Sequence, residues 1–524
     1  MKKVLSCLTG ILVSMFCLTT NAQQTFFNKV YYDANDGLSV FGADQSPDHG
    51  FVMVGKKHNG SGTMFKIDST GQIEWARQLG SPGMSCELHD ILCNTDSTIV
   101  TAGLLYRNSE LKLSIIKWNS HGDSLWTKYF SGMEFADRVK ISALANGGYL
   151  LSASIHGYYS MSGIRSLIIR LTEQGEILWS GTYTSTLYKI TPMIARELPD
   201  GNLVIAGEAR NVESYRSNAF VVKTDDNGIP VWSVIMQDTE ESSYSSVHDV
   251  AVTVDGIIAL AEAEYRVTLI KLDFSGQTVW SQSYTGAGYS MWTSFPGNIV
   301  PLTDGGFILS YPGYFGGTMI KTGNNGDPVW QQFVFMDLLK VMPTGDGGYI
   351  TFGNGPIYGL KKVPDFIPHA GVYKTDSVGY NEYCIFPMIV ELYNFSAMFS
   401  NLNIQNTQAG YSSSASVEIS SFPVITEDTC VVFTGGLNDH STIAKALTIS
   451  PNPATSLISV DSGIPFSPGS TLEIINASGS VIRKIPFSSD PLPVAVSNLP
   501  NGIYLLRLIS KQQYQTGKLI IKHQ

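Results

Sequence analysis

The chain has 524 residues, of which 43% are hydrophobic and 15% are charged, and its formal net charge is −10. This length is enough for two or more domains with sizeable cores. No cluster of lysine and arginine gives the chain the basic face that nucleic acids require, so we expect no nucleic-acid partner. The 50 glycines suit an all-β protein with many tight turns.

The first 22 residues have the pattern of a secretory signal peptide. A Met-Lys-Lys start is followed by the apolar run VLSCLTGILVSMFCLTT and by a small-residue cleavage site at Ala22. One alternative is a transmembrane anchor, for which the run is short and contains Ser and Thr. Another is a lipoprotein, although neither Cys7 nor Cys17 lies in the usual lipidation pattern. We therefore expect export, with no transmembrane segment in the mature chain.

A glycine followed four residues later by a tryptophan recurs six times, and Gly379 with Tyr383 gives a seventh copy. Successive tryptophans are separated by 51, 53, 53, 48 and 50 residues. A repeat of this length that consists of short strands is typical of a β-propeller. The pairs are Gly71 and Trp75, Gly122 and Trp126, Gly175 and Trp179, Gly228 and Trp232, Gly276 and Trp280, and Gly326 and Trp330.

A second motif, an Asp-Gly or Asn-Gly turn before an alternating apolar strand, recurs in step with the first. Asp200-Gly-Asn-LVIAG and Asp304-Gly-Gly-FILSY are two copies. Such turns favour β-hairpins, because glycine accepts the positive φ that the turn needs. Each repeat then contains four strands, a to d, and the sequence predicts a seven-bladed propeller over residues 23–383. The N-terminal strand FFNKVYY is expected to close the ring as strand d of the last blade; the segment around Tyr383 is the competing assignment.

We expect the six tryptophans to pack between neighbouring blades, because a large ring at one fixed place in every blade sets the blade spacing. A ligand-stacking role is the alternative, but binding sites usually break repeat symmetry. The motif Asp68-Ser-Thr-Gly71-x-x-x-Trp75 resembles the tryptophan-docking motif of quinoprotein-type propellers. That resemblance covers the repeats only and implies blade packing.

Residues 441–524 have a different character and predict a compact β-sandwich of about seven short strands. They contain Pro451-Asn452-Pro453, then Gly502-Ile-Tyr504 and a final strand Gly517-KLIIKHQ. This array resembles the type A C-terminal sorting domain of the type IX secretion system of Bacteroidota. The resemblance implies passage through the periplasm to the cell surface or the medium, with the type IX machinery as partner. An ordinary adhesive β-sandwich is the alternative. The residues expected to act in recognition or folding are Gly502, Tyr504, Lys518, Leu519 and Lys522.

Between the repeats and the sandwich, residues 384–440 are rich in Ser and Thr and predict a small β-arm followed by a linker. Four cysteines remain after removal of the signal peptide, and an exported chain with an even number permits two disulfides. We expect Cys384 to pair with Cys430, and Cys86 with Cys93 if the geometry allows; four cysteines permit three pairings.

The b–c and d–a loops of the blades lie on one face, which we call the loop face, and they are long and aromatic. Variable loops on a rigid scaffold are the preferred place for binding sites, and Tyr, Trp and Arg are typical of recognition hot spots. The candidate ligand-binding residues are Tyr158, Tyr159, Arg165, Arg210, Tyr215, Trp292, Tyr314 and Phe315.

No sequence motif indicates catalysis. His-Glu-x-x-His spacing and a Gly-x-Ser-x-Gly elbow are both missing from the sequence, so we assign no catalytic residue, metal or cofactor. The expected function is a secreted or surface-displayed non-catalytic binding module for a glycan, a peptide or a surface protein. Two alternatives remain: a polysaccharide hydrolase or lyase that uses the propeller channel, and a structural or adhesion protein of the cell surface.

Overall fold

The computed structural model divides the chain into two compact units, Met1–Phe433 and Thr434–Gln524. All regular elements within the described residues are β-strands. The structure describes residues 27–33, 36–80, 84–107, 110–133, 135–157, 160–237, 244–263, 266–285, 297–313, 316–334, 336–355, 369–380, 385–387, 391–393, 398–401, 405–408, 413–414, 419–420, 425–428, 447–462, 470–476, 481–509 and 514–523.

The first unit is a seven-bladed β-propeller, in which strand a of each blade is innermost and strand d lies further out. Strand β1 is Phe27–Tyr32, and blade 1 consists of β2 Leu38–Gln45, β3 Phe51–Lys57, β4 Gly62–Ile67 and β5 Ile73–Leu79. Blade 2 consists of β6 Met84–Cys93, β7 Ile99–Arg107, β8 Glu110–Trp118 and β9 Ser124–Met133. Blade 3 consists of β10 Phe135–Ala143, β11 Tyr149–Gly157, β12 Ser160–Leu171 and β13 Ile177–Thr184.

The remaining blades repeat this order. Blade 4 consists of β14 Tyr188–Glu197, β15 Leu203–Asn211, β16 Ser217–Thr224 and β17 Pro230–Gln237. Blade 5 consists of β18 Ser245–Thr253, β19 Gly256–Ala263, β20 Arg266–Leu272 and β21 Thr278–Thr285. Blade 6 consists of β22 Asn298–Pro301, β23 Phe307–Gly313, β24 Gly316–Thr322 and β25 Pro328–Val334. Blade 7 begins with β26 Asp337–Pro343, β27 Tyr349–Gly355 and β28 His369–Thr375.

The N-terminal strand β1 completes blade 7. It pairs antiparallel with β28, with Phe27 opposite Lys374, and blade 1 then packs against blade 7 through β2. This confirms the expectation that FFNKVYY closes the ring. Tyr383 itself lies outside the described residues, and the next described strand after it pairs with blade 6.

The glycine–tryptophan repeat forms the contact between successive blades. The indole of Trp179 in blade 3 lies against Gly228 in blade 4, so closely that a Cβ on this glycine would be 2.7 Å from the ring. Gly228 has a φ of 80°, which a side chain would strain as well. Trp179 Nε1 donates a hydrogen bond to Asp226 O at 2.8 Å, and the Tyr183 hydroxyl donates to Gly228 O at 2.8 Å.

The same contact recurs around the ring. The other tryptophans lie against the glycine of the following blade, namely Trp75 on Gly122, Trp126 on Gly175, Trp232 on Gly276, Trp280 on Gly326 and Trp330 on Gly379. At the junction of blades 7 and 1, Phe27 takes the tryptophan's place against Gly71. The hydroxyl of Tyr31, four residues later, donates to Gly71 O at 2.7 Å, as Tyr183 does at Gly228.

A cation accompanies each of these rings, a repeat position that the sequence analysis missed. A lysine or arginine lies nine residues before every blade tryptophan and is its partner in the strand register, as Lys223 is for Trp232. Lys374 occupies this position opposite Phe27. Most of these lysines pair with a carboxylate of the a–b turn: Lys66 with Asp48, Lys223 with Asp200 at 2.7 Å, Lys271 with Asp255 at 2.5 Å, Lys321 with Asp304 at 2.8 Å, and Lys374 with Asp346.

Seven short segments between residues 385 and 428 form an outer belt around the propeller. They contribute β29 Ile385–Pro387, β30 Glu391–Tyr393, β31 Met398–Asn401, β32 Gln405–Gln408, β33 Ser413–Ser414, β34 Ile419–Ser420 and β35 Ile425–Asp428. Each strand pairs antiparallel with the outer strand of one blade, in the order 6, 5, 4, 3, 2, 1 and 7. The predicted small β-arm is therefore a fifth strand for all seven sheets, and β35 holds β1 against β28.

The expected disulfide between Cys86 and Cys93 is wrong. Both are free thiols on the single strand β6, seven residues apart. An extended strand places such residues about 23 Å apart, whereas a disulfide joins Cα atoms within about 7 Å. Cys384 and Cys430 lie outside the described residues, so their pairing stays a prediction.

The second unit has the predicted β-sandwich fold. Its strands are β36 Thr448–Ser450, β37 Leu457–Asp461, β38 Thr471–Ile475, β39 Val481–Pro486, β40 Leu492–Ala495, β41 Gly502–Ile509 and β42 Tyr514–Ile521. They form a three-stranded sheet, β36-β37-β40, and a four-stranded sheet, β39-β38-β41-β42. The two sheets share a core that includes Val460, Leu472, Leu506 and Leu519.

We predict that Trp179→Ala destabilises the propeller by about 3 kcal/mol, because the indole fills the seam against Gly228. Urea unfolding followed by circular dichroism measures the effect. The matched control is Leu178→Ala, since the neighbouring leucine is 53% exposed and should change stability by less than about 0.5 kcal/mol. Equal effects of the two substitutions would contradict the packing role.

We predict that the double substitution Thr426→Pro and Glu427→Pro loosens β1. Amides of consecutive residues point to opposite sides of a strand, so one of the two prolines removes a hydrogen bond to β1. Amide exchange of Val30 and Tyr31 should then accelerate about tenfold. The double alanine variant at the same positions is the control. Unchanged exchange in the proline variant would mean that the belt does not hold β1.

Candidate ligand-binding surfaces

Two of the predicted loop-face residues meet in the b–c loop of blade 4. The Arg210 guanidinium lies 5.7 Å from the centre of the Tyr215 ring, and Arg210 Nε donates to Tyr215 O at 3.1 Å. Tyr215 is 65% exposed and has a φ of 60°, a conformation that non-glycine residues adopt rarely. Tyr215 N also donates to Asn211 O at 3.0 Å, so hydrogen bonds at both its N–H and its C=O hold the backbone of this exposed ring.

Exposed aliphatic side chains extend this surface. Val212 N donates to Leu187 O at 3.0 Å, which joins the b–c loop of blade 4 to the d–a loop before it. Leu187, Val212 and Tyr215 are all exposed. We call Leu187, Arg210, Val212 and Tyr215 the blade 4 patch.

The side chains of the other loop-face candidates lie outside the described part of the molecule. Arg165 lies on β12 opposite Ile155, and its side chain is outside the described part of the molecule. The remaining candidates, Tyr158, Tyr159, Trp292, Tyr314 and Phe315, also lie outside the described residues.

The innermost strands of all seven blades surround a central cavity of about 530 Å³. Three carboxylates and three cations line it, and each ion pair joins two neighbouring blades. Arg196 Nη2 lies 2.9 Å from Asp249 Oδ1, Lys140 Nζ lies 3.7 Å from Asp90 Oδ1, and Lys340 Nζ lies 3.8 Å from Asp44 Oδ1. These residues could not be identified from the sequence, because they come to lie at one level of the channel only when the strands are arranged in the ring.

The channel carboxylates also bind the backbone of the next blade. Strand a has no neighbour in its own sheet on the channel side, so its amides on that side need other acceptors. Cys93 N donates to Asp44, Ile141 N to Asp90 and Ile299 N to Asp249, at 2.8, 3.0 and 3.1 Å. The three carboxylates are thus committed to inter-blade contacts. A general acid or base would need an oxygen that faces a substrate instead.

A second polar cluster lies where the channel meets the loop face. Glu87 accepts a hydrogen bond from Lys56 at 2.6 Å and lies 3.3 Å from His89. The His89 ring meets Phe41 edge to face at 5.7 Å. Hydrogen bonding to His89 lowers the pKa of Glu87; partial burial opposes this change and Lys56 reinforces it, so that the pKa falls from 4.5 to about 2.

Residues that could hold a metal ion do not cluster anywhere in the described ranges. Nor does the described part of the chain contain a helix long and apolar enough to cross a membrane.

In the sandwich, the Pro-Asn-Pro motif binds the last strand through the side chain of Asn452. The Asn452 amide donates to Lys518 O at 2.6 Å and accepts from Ile520 N at 2.8 Å. One side chain thus binds the backbone of β42 as a neighbouring strand would.

The five predicted sorting residues lie on β41, on β42 and at the C-terminal end of β42, and they differ in burial. Tyr504 and Leu519 are buried opposite each other, and the Tyr504 hydroxyl donates to Pro500 O at 2.8 Å. Gly502, Lys518 and Lys522 are exposed. This arrangement suits a folding role for the first two and a recognition role for the others, both of which stay predictions.

Comparison with known protein families assigns the second unit to a family. Residues 448–522 match the family described as a secretion system C-terminal sorting domain. No curated protein matches the chain.

Three solved structures resemble the chain distantly. A protein of unknown function from Bacteroides caccae is 12% identical with a TM-score of 0.33, over 58% of this chain and 93% of that one. A prolyl endopeptidase is 10% identical with a TM-score of 0.37, over 91% and 55%. The biofilm matrix protein Bap1 of V. cholerae is 11% identical with a TM-score of 0.24, over 68% and 88%. All three TM-scores are below 0.5, so nothing about function follows from these likenesses.

We predict that Glu87→Gln lowers stability at neutral pH and that the difference becomes smaller as the pH falls from 7 to 3. A carboxylate whose pKa falls from 4.5 to about 2 stabilises the fold above about pH 4.5, and this contribution is lost as the pH falls through about 2. Urea unfolding of both proteins at pH 7, 4 and 3 measures the difference. Glu213→Gln, on an exposed loop, is the control. A difference that stays constant with pH would contradict the assignment.

We predict that Asn452→Ala loosens the final strand. The loss of two hydrogen bonds to β42 should accelerate amide exchange at Ile520 at least about tenfold. Ser489→Ala removes an exposed hydroxyl contact to Pro491 O and serves as the control. Unchanged exchange at Ile520 would show that Asn452 does not hold the strand.

The match of residues 448–522, together with the sandwich fold and the Asn452 contacts, identifies the second unit. The chain carries the C-terminal sorting domain of the type IX secretion system, which directs it to the outer cell surface or into the medium.

Proposed function

We propose that this exported propeller is a non-catalytic binding module that holds a glycan, a peptide or a surface protein on its loop face. The blade 4 patch carries the proposal. It presents Tyr215 in a fixed, exposed position with Arg210 against the ring. Tyrosine and arginine together are typical of recognition hot spots, and a flat aromatic ring suits a sugar or a peptide.

The channel supports binding rather than catalysis. Its carboxylates Asp44, Asp90 and Asp249 each accept a backbone hydrogen bond and face a cation. A glycosidase needs a pair of carboxylates across a sugar ring, one of which acts as a general acid. Carboxylates that join the blades are poorly suited to that task.

The test is a screen of the purified protein on glycan and peptide arrays, with analysis of the bound material for cleavage products. We expect binding without cleavage, and at least about tenfold weaker binding in Tyr215→Ala, as is usual for a hot-spot tyrosine. Leu178→Ala, an exposed apolar substitution on the outer strand of blade 3, should bind as the wild type does. Cleavage products would refute the non-catalytic function, and unchanged binding in Tyr215→Ala would refute the blade 4 patch as its site.

A further inference from the structure

The central cavity has the size of a ligand site. Its volume of about 530 Å³ lies within the range of about 300–1,000 Å³ that is usual for small-molecule pockets. Polar groups from several blades converge on it, and the proposed loop-face function uses none of them. The hydrogen-bonding capacity that remains at its wall therefore decides what it can bind.

The hydrogen bonds of the wall carboxylates differ, and only Asp249 has both oxygens occupied. Asp249 Oδ2 accepts from Ile299 N, and its Oδ1 accepts from Val250 N at 2.9 Å and from Arg196. Asp90 and Asp44 each use Oδ2 for a backbone amide of the next blade, and Oδ1 of each faces a lysine ammonium. The Asp90 and Asp249 side chains are 13% and 10% exposed, and Asp44 is 25% exposed, close to the 26% of Lys340 that faces it.

The three cations of the wall keep several hydrogen-bond donors unused. The ammonium groups of Lys140 and Lys340 lie 3.7 and 3.8 Å from their carboxylates, which is beyond hydrogen-bond length. Lys340 uses one of its three N–H donors on Ala43 O at 2.7 Å. Arg196 uses Nε on Val250 O and one terminal nitrogen on Asp249. The side chains of Arg196 and Lys140 are 36% and 23% exposed, more than the carboxylates that face them.

We propose that the channel binds a small ligand with two or more anionic oxygen groups, through Lys140, Arg196 and Lys340. These residues come from blades 3, 4 and 7, so a multivalent anion can reach more than one side of the cavity. Guanidinium and ammonium donors form their strongest hydrogen bonds with carboxylate, phosphate and sulfate oxygens. The site is distinct from the blade 4 patch, so either proposal can fail without the other.

Calorimetric titration of the purified protein with citrate, with acetate at matched ionic strength as comparator, tests the proposal. We expect saturable citrate binding with one site per chain and at least tenfold weaker acetate binding. Lys140→Gln should weaken citrate binding at least tenfold. Lys128→Gln is the matched control, since Lys128 is also 23% exposed in an ion pair with Glu176 but does not line the cavity. No saturation by citrate, or equal affinity in Lys140→Gln, would overturn the proposal.

A second measurement avoids substitutions that could disturb folding. Crystals of the wild-type protein soaked in tungstate should show an anomalous peak in the channel next to Lys140 and Arg196. Peaks confined to the outer surface would overturn the assignment of the channel as an anion site.

Discussion

The backbone N–H and C=O groups on the innermost edge of every blade need hydrogen-bond partners, and the rest of the propeller depends on how these groups are satisfied. The seven strands a present their free edges to one channel, and side chains of neighbouring blades bind those edges. Contacts of this kind join all seven pairs of blades: Asp44 to Cys93, Asp90 to Ile141, Ser142 to Ala195, Arg196 to Val250, Asp249 to Ile299, Asn298 to Val341 and Lys340 to Ala43. The carboxylates of the channel therefore serve to join the blades, and the cations Lys140, Arg196 and Lys340 keep unused hydrogen-bond donors.

Two other sets of contacts hold the blades together at a greater distance from the axis. A tryptophan, or Phe27 in blade 7, fills each seam against a glycine of the next blade. The outer belt then adds a strand to every sheet and covers part of the edges that would otherwise invite aggregation. The last belt strand lies on β1, so the belt also secures the strand that closes the ring. A scaffold fixed in this way can present Tyr215 in a fixed loop, which is what a recognition surface needs.

Much of this architecture could be predicted from the sequence, because repeats reveal themselves by spacing. The six tryptophans and the seventh copy at Gly379 and Tyr383 predict seven blades, and FFNKVYY resembles a strand d without its own a, b and c. The belt could not be predicted, since strands as short as Ser413–Ser414 have no alternation and receive their partners from the propeller. The Cys86–Cys93 pairing failed because both residues fall on one strand. The channel residues were missed because Lys140 and Asp90 are remote in sequence and become neighbours only when the ring closes.

Amide exchange at the channel edge tests the central claim most directly. Cys93, Ile141, Ile299 and Val341 donate their amides to side chains of neighbouring blades. If these contacts close the ring, the four amides should be protected as strongly as amides between paired strands, and should exchange only when the propeller opens. Exchange at the rate of the exposed turns would show that the inner edges are open, and the ring would then have to be held by the seams and the belt alone.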